Sequence, residues 1–145
     1  MIALIQRVNW AQLRIDDSLY SEIGPGLLAF IGVEKHDDVE LAQKLLSKIL
    51  AYRVFADSED KMNLNLKDIN GGLMLVSQFT LAADTDKGLR PSFSSAKAPA
   101  DAEEIYTYMV NAARQQYEFV QSGKFAADMQ IKLENNGPVT FILKV

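Results

Sequence analysis

The chain has 145 residues, of which 48% are hydrophobic and 23% charged, values typical of one globular domain over residues 1–145. It contains no cysteine, which excludes disulfide scaffolds, cysteine nucleophiles and thiolate metal sites. A formal net charge of −4 disfavours nonspecific wrapping of long nucleic acid.

The first third of the chain is typical of short strands joined by tight turns. Its start lacks the basic residues and the long apolar stretch of a signal peptide, and no apolar run in the chain is long enough to cross a membrane. We therefore expect a cytoplasmic protein. Asp16-Asp17 is a turn candidate, and "GPG" at residues 24–26 precedes a more fully buried strand. The predicted strands are IALIQRV, AQLRI, SLYSEI and LLAFIGV.

Two amphipathic helices are predicted. In the first, apolar residues recur at i, i+3, i+4, i+7 and i+8, which places them in one stripe. Asp37 with Glu40 three residues later resembles a capping box. The stripe contains Ala42, Leu45, Leu46, Ile49 and Leu50. The second helix spans roughly residues 100–121 and is stopped by Gly123. One face of it contains Ile105, Met109, Ala112 and Ala113.

Polar residues interrupt an otherwise apolar strand, "LMLVSQFTLAAD", at residues 73–84. With a period of two residues, Gln78 and Thr80 share a strand face with Val76, and Ser77 points to the opposite face. An unpaired buried amide or hydroxyl costs about 1–3 kcal/mol, so either local partners or a substrate must satisfy these groups. A pocket bordered by Gln78 and Thr80 would offer donors for an ester carbonyl and its developing oxyanion. The alternatives are polar groups that pair with a neighbouring strand or cap a bulge, or a Thr80 nucleophile, for which no base is visible.

Two further strands, FAADMQIKL and VTFILKV, are predicted on either side of "ENNGP". Asn-Gly before a strand is a turn signal, and a plain turn is one interpretation of this stretch. The Gly137-Pro138 bond can instead be cis at a cost of about 0.5–1 kcal/mol, and the residues alone leave the isomer open. The order of strands, helix, strand, helix and strands predicts an α+β fold, with two main helices packed on a mostly antiparallel sheet.

The sequence gives little support for a catalytic triad, a metal site or a phosphate-binding loop. His36, the only histidine, would need a serine and a carboxylate brought to it by the fold to act as a triad base, and a surface or capping role is the alternative. One histidine, no cysteine and no calcium-loop glycine in "DSEDKMNLN" disfavour a metal site. Arg90, with Lys87 and Lys97 nearby, is a candidate for phosphate contact, and a solvated loop is the alternative.

The chain resembles the D-aminoacyl-tRNA deacylase family, also called D-tyrosyl-tRNA deacylase, nearly from end to end. Two signatures in the right order carry the resemblance. They are SQxT, here Ser77-Gln78-Phe79-Thr80, and NxGPVT, here residues 135–140. Further matching segments are MIALIQRV, GLLAFIGVEK, KMNLNL, RPSFS and FAADMQ.

The resemblance implies a homodimer with a barrel-like sheet that hydrolyses the ester between a D-amino acid and the 3′-terminal adenosine of tRNA. It implies catalytic roles for Ser77, Gln78, Phe79 and Thr80, which would line the pocket for that adenosine and the scissile carbonyl. Gly137 and Pro138, joined by a cis bond, would reach from one subunit into the site of the other. There they would contact the α-amino group and exclude an L side chain, and Arg7 would help fix their orientation. Glycyl-tRNA, which has no side chain to exclude, would also be cleaved.

The resemblance also implies chemistry assisted by the terminal 2′-hydroxyl of the tRNA, which would activate water. We accordingly expect no cofactor, no metal, and neither a membrane nor DNA as a partner. Three alternatives stay open: an esterase with Thr80 as its nucleophile, a non-catalytic module that binds the aminoacylated end of tRNA, and an inert structural dimer.

Overall fold

The computed structural model describes residues 1–86 and 88–145. No helix in these two ranges is both long and apolar enough to cross a membrane. In chain order, the elements are β1 (Ile2–Ile15), β2 (Ser18–Ile23), β3 (Gly26–Gly32), α1 (Val39–Ala51), β4 (Phe55–Ala56), β5 (Met62–Leu64), β6 (Gly72–Ser77), a 3₁₀ helix (Phe79–Ala82), α2 (Pro99–Gln116), β7 (Val120–Ser122) and β8 (Gln130–Lys144).

The long strand β1 organises the main sheet. One of its edges pairs with β3 through residues 2–8 and with β2 through residues 11–15. Its other edge pairs with β8 over nearly its whole length. The predicted turn at Asp16 and Asp17 joins β1 to β2, and both residues have the positive φ angles of a type I′ hairpin.

The sheet is mixed, so the prediction of a mostly antiparallel sheet is only partly right. β1 pairs antiparallel with β2, β3 and β8, whereas β6 pairs parallel with both β3 and β7. The chain passes through α1 between β3 and β6, and through α2 between β6 and β7. Such helical crossovers bring consecutive strands into parallel alignment. The remainder of the predicted class is confirmed, because two helices accompany a nearly closed, barrel-like sheet.

Hydrophobic cores cover both faces of β3 and β6. Leu27 and Leu73, which are paired across these strands, belong to the larger core with both helices. Their neighbours Leu28 and Met74 point the other way into a smaller core. The prediction that the strand after "GPG" is deeply buried is therefore confirmed.

Helix α1 buries the predicted stripe, but its N-cap is one residue later than predicted. The carboxylate of Asp38, not that of Asp37, accepts a hydrogen bond from the Leu41 N–H at 2.9 Å. Asp37 is buried instead, where it accepts from the Glu34 N–H and from the Met1 ammonium. Because both oxygens of Asp37 are used in this way, Asp38 is the residue left to cap the helix.

The last third of the chain differs from its prediction in three places. α2 buries the predicted face but ends at Gln116, because residues 120–122 pair with β6 as β7. The strand predicted at FAADMQIKL begins only at Gln130, after an irregular connection. "ENNGP" does not separate two strands, since it lies inside the continuous β8.

Candidate active site

Strand β6 ends at the polar residues that interrupt its sequence. Ser77 is its last residue and lies opposite Ile31 of β3. The Gln78 N–H donates to the Ile31 carbonyl at 2.7 Å, and the chain then turns into the 3₁₀ helix. The expectation that Gln78 and Thr80 share a strand face with Val76 is therefore wrong, because the strand stops before them.

A glycine at the end of β3 lets this 3₁₀ helix pack close to the sheet. A Cβ atom on Gly32 would lie 2.8 Å from the Cβ atom of Leu81. Any side chain at Gly32 would push the helix outward, so the position of the polar turn depends on this close approach.

The turn presents several hydrogen-bonding groups at a partly exposed surface. The Gln78 Nε2 donates to the Thr80 Oγ1 at 2.6 Å. The backbone N–H groups of Phe79 and Thr80 have no acceptor within residues 1–86 and 88–145, as is usual for the first residues of a helix. Nor does the Ser77 hydroxyl hydrogen-bond to any described residue. The two free N–H groups beside Gln78 and Thr80 form a set that can stabilise a carbonyl oxygen and the negative charge that develops on it.

The loop after the 3₁₀ helix is fixed against this turn by backbone pairing. Asp84 and Ser92 exchange two backbone hydrogen bonds, at 2.8 and 3.0 Å, and the Ser95 hydroxyl donates to the Ala82 carbonyl. The ring of Phe93 packs on that of Phe79, with centroids 5.0 Å apart. The SQxT and RPSFS segments, 10 or more residues apart in the sequence, thus border one surface.

The Gly137-Pro138 segment is an excursion of β8 opposite a single residue of β1. Thr140 pairs with Gln6, and Asn135 pairs with Val8, so only Arg7 lies opposite the residues between them. The Gly137-Pro138 peptide bond is cis, and both residues are exposed.

Arg7 holds one side of this excursion. Its Nε donates to the Asn136 carbonyl at 3.0 Å, and its Nη1 donates to the Val54 carbonyl at 2.6 Å. A Cβ atom on Gly137, whose φ is +137°, would lie 2.6 Å from the Val139 Cγ2 and 3.1 Å from the Arg7 Nη2. Glycine therefore suits this position both by its conformation and by the space beside the guanidinium. The contact between Arg7 and the Val54 carbonyl could not be predicted from the sequence, because every residue has a backbone carbonyl that can accept such a bond.

The structure does not bring the two signatures together within one chain. Ser77 aligns across the sheet with Ile31 and Ala3, whereas the Gly137-Pro138 excursion lies opposite Arg7. Four residues along β1 and three strand spacings, from β6 through β3 and β1 to β8, therefore separate them. At about 3.4 Å per residue and 4.8 Å per strand, the separation across the sheet is roughly 20 Å.

The basic residues predicted to contact phosphate, and His36, do not hydrogen-bond to the polar turn in the described residues. Lys97 directs its ammonium to the Lys35 carbonyl at 3.0 Å, Arg90 is exposed, and Lys87 lies outside the described residues. His36 is exposed in the turn before α1. The described part of the chain contains no group of three or more metal-ligating side chains.

Comparison with known proteins identifies the family. Residues 4–144 match the family model described as D-Tyr-tRNA(Tyr) deacylase. This chain belongs to that family. Relatives called D-aminoacyl-tRNA deacylase are 55% identical in Klebsiella pneumoniae (strain 342) and 54% identical in Salmonella arizonae (strain ATCC BAA-731 / CDC346-86 / RSK2980). Both alignments span 145 residues and all of both proteins.

Two solved structures resemble this deacylase-family chain in fold. One, called "c-Myc DNA Unwinding Element Binding Protein", has a TM-score of 0.95 and 33% identity over 100% of this chain and 99% of its own. The other, "Structural Analysis of a probable eukaryotic D-amino acid tRNA deacylase", has a TM-score of 0.88 over 99% of this chain and 98% of its own. Its 15% identity shows a shared fold alone. The predicted family is thus confirmed, and the roles of individual residues stay predictions.

Proposed function

We propose that this chain is a chiral proofreading hydrolase that cleaves the ester of D-aminoacyl-tRNA into free amino acid and tRNA. The full-length family match carries the proposal, since relatives more than half identical over every residue are named for this activity. Residues 1–145 act as one catalytic domain. Its place of action is the cytoplasm, where its substrate is found.

The pocket, which is the surface bordered by residues 77–80 and by Phe93, binds the terminal adenosine and the scissile carbonyl. The free N–H groups of Phe79 and Thr80 donate to the carbonyl oxygen and stabilise the oxyanion as water attacks. Gln78 and Thr80 orient the terminal nucleotide through their side chains, and Ser77 supports the turn from the end of β6. The terminal 2′-hydroxyl of the tRNA activates the water, so the protein supplies position and electrostatic stabilisation.

Thr80 is a poor nucleophile in this arrangement. Its hydroxyl accepts a hydrogen bond from the Gln78 amide, a group that cannot remove the hydroxyl proton. No histidine or carboxylate within residues 1–86 and 88–145 hydrogen-bonds to either side chain. The pocket-lining role is therefore favoured over covalent catalysis.

Selectivity comes from exclusion of the L side chain. Gly137 and Pro138 of a partner subunit enter the pocket, where their carbonyls contact the substrate α-amino group and leave no room for an L side chain. A D side chain points elsewhere, and glycine has none to exclude. Arg7 maintains the orientation of this segment through the Asn136 carbonyl.

Two observations support a homodimer as the active form. The separation of roughly 20 Å between the two signatures across the sheet is too large for one Gly-Pro segment to serve its own pocket. The 15-residue strand β8 also pairs on one edge only among the described residues, and Ile142 on it is 63% exposed. A long edge of this kind is normally covered.

The direct test is hydrolysis of matched D-tyrosyl-tRNA and L-tyrosyl-tRNA by the purified protein with a chelator present. We expect rapid loss of the D ester while the L ester is spared. Binding of both without faster ester loss would instead identify a module that holds the aminoacylated end of tRNA. Folded protein with neither binding nor hydrolysis would leave only a structural dimer.

A further inference from the structure

The side chain of Asn135 closes the base of the Gly137-Pro138 excursion. Its Oδ1 accepts from the Val139 N–H at 2.8 Å, and its Nδ2 donates to the Thr140 Oγ1 at 2.9 Å. This one amide thus connects Asn135, just before the excursion, to Val139 and Thr140 at its end. Only a side chain with both an acceptor and a donor makes these two bonds with the hydroxyl as acceptor.

Strand β1 reaches the same hydroxyl. The Gln6 Nε2 donates to the Thr140 Oγ1 at 3.2 Å, so Thr140 connects the excursion to the neighbouring strand. The excursion has a first limb, at Asn136, and a second limb, at Val139, and different groups hold the two. Arg7 fixes the first limb at the Asn136 carbonyl, and Asn135 fixes the second limb at the Val139 N–H.

Besides these bonds, the described part of the chain gives the excursion one further side-chain hydrogen bond, from the Asn136 Nδ2 to the Asn9 Oδ1 at 2.8 Å. Gly137 and Pro138 are exposed, and neither contributes to a hydrophobic core. Steric exclusion requires a rigid surface, because a displacement of about 1 Å is enough to change reactivity by orders of magnitude. Val139 beside them is buried in the larger core, and the two hydrogen bonds of Asn135 connect this packed end of the excursion to its start, which gives the exposed tip a rigid base.

We propose that Asn135 is a specificity-determining residue, which positions the Gly137-Pro138 carbonyls so that L-aminoacyl esters are excluded. This inference rests on the proposed function. Asn135 acts through the excursion and not on the reacting ester, because the groups that stabilise the oxyanion lie on the 3₁₀ helix. Its loss therefore raises hydrolysis of the L ester without an equal effect on the D ester.

The test compares kcat/KM for D-tyrosyl-tRNA and L-tyrosyl-tRNA in three variants. Asn135→Ala removes both hydrogen bonds, and we expect the D-to-L ratio to fall about tenfold or more while D hydrolysis stays within about threefold. Asn135→Asp keeps the acceptor for the Val139 N–H, and the Thr140 hydroxyl can rotate to donate to it, so the ratio recovers. Asn136→Ala is the control for a neighbouring bond: it removes the hydrogen bond to Asn9 but keeps the carbonyl that Arg7 holds, and we expect the D-to-L ratio to stay within about threefold.

An unchanged D-to-L ratio in folded Asn135→Ala would overturn the inference, and so would equal losses for both esters. Failure of Asn135→Asp to recover the ratio would also contradict it, because the acceptor is then not what matters. If Asn135→Ala does not fold, Asn135→Leu, whose side chain has a similar size but no hydrogen-bonding group, must lower the same ratio. The unsubstituted protein separates the two proposals: if it fails to prefer the D ester, the proposed function itself is wrong.

Discussion

At the scale of single residues, the site depends on which hydrogen-bonding groups are left free. Within residues 1–86 and 88–145, every buried side-chain nitrogen and oxygen has a partner. The Phe79 and Thr80 N–H groups, by contrast, lie at a partly exposed turn without an acceptor. The polar residues that interrupt the apolar sequence of β6 thus leave donors available to a substrate, and the chain avoids the cost of unpaired polar groups in its core.

Substitution of Thr80 by alanine distinguishes a pocket residue from a nucleophile. Thr80→Ala removes one neutral hydrogen-bonding group but keeps the backbone N–H, so we expect D-tyrosyl-tRNA hydrolysis to fall only about 5- to 10-fold. Single-turnover kinetics measures this, with Thr80→Ser as the control that keeps the hydroxyl. Abolition of turnover in Thr80→Ala, with full activity in Thr80→Ser, would show instead that Thr80 is the nucleophile.

Among the elements, α2 is held to the sheet in part by a buried tyrosine hydroxyl on its inner face. Tyr106 is buried, and its hydroxyl donates to the Leu75 carbonyl of β6 at 2.8 Å, with the Gly123 carbonyl 3.3 Å away. Burial raises the pKa of Tyr106 well above its ordinary value. The neutral hydroxyl is therefore the form that the folded state requires.

This burial predicts a loss of stability in alkali. Because the folded protein keeps the proton of Tyr106 while the unfolded chain releases it near pH 10, the free energy of unfolding should fall by about 1.4 kcal/mol per pH unit above that pH. Tyr106→Phe should cost about 1–2 kcal/mol at pH 8 and decline less steeply in alkali. Urea unfolding between pH 8 and pH 11 measures both effects.

The control for this experiment is Tyr108→Phe, which changes an exposed tyrosine of the same helix. It should leave the alkaline decline as it is in the unsubstituted protein. An equally steep decline in Tyr106→Phe and in the unsubstituted protein would contradict the role given to the buried hydroxyl.

The elements that could be predicted from the sequence are those whose apolar pattern has a single interpretation. The stripe of α1 and the buried strand after "GPG" are of this kind. β7 could not be predicted, because Val120 continues an apolar sequence that equally suits a longer helix, and only its pairing with Leu73 decides. The end of β6 at Ser77 was hidden for a similar reason, since Leu81 and Ala82 resume the apolar pattern inside a 3₁₀ helix.

The candidate site was predictable as residue types but not as an arrangement. Both signatures could be found in the sequence, whereas the separation between Ser77 and Gly137 depends on strand order and register. The Asn135 hydrogen bonds likewise require the excursion of residues 136–139 opposite Arg7, which no periodicity reveals.

In the whole molecule, one active pocket requires residues from two chains if the proposed function is right. A mixed dimer tests this directly, with Pro138→Ala in one subunit and Thr80→Trp, whose indole fills the pocket, in the other. The only active pocket is then that of the Pro138→Ala subunit, and its partner supplies an intact Gly137-Pro138 segment. We expect the mixed dimer, isolated with two different tags, to discriminate against the L ester as the unsubstituted protein does.

The Pro138→Ala homodimer is the reference for this comparison, and it should hydrolyse the L ester at least about tenfold faster than the unsubstituted protein. A mixed dimer as unselective as this homodimer would mean that each Gly137-Pro138 segment serves the pocket of its own chain. That result would contradict the arrangement across two subunits.

The proposed selectivity comes from exclusion of the L side chain and not from recognition of a D side chain. Hydrolysis of glycyl-tRNA by the unsubstituted protein, measured beside D-tyrosyl-tRNA and L-tyrosyl-tRNA, tests it most directly. Because glycine has no side chain to exclude, we predict that its ester is cleaved along with the D ester while the L ester survives. Survival of the glycyl ester alongside the L ester would contradict the account, since the pocket would then require a D side chain for activity.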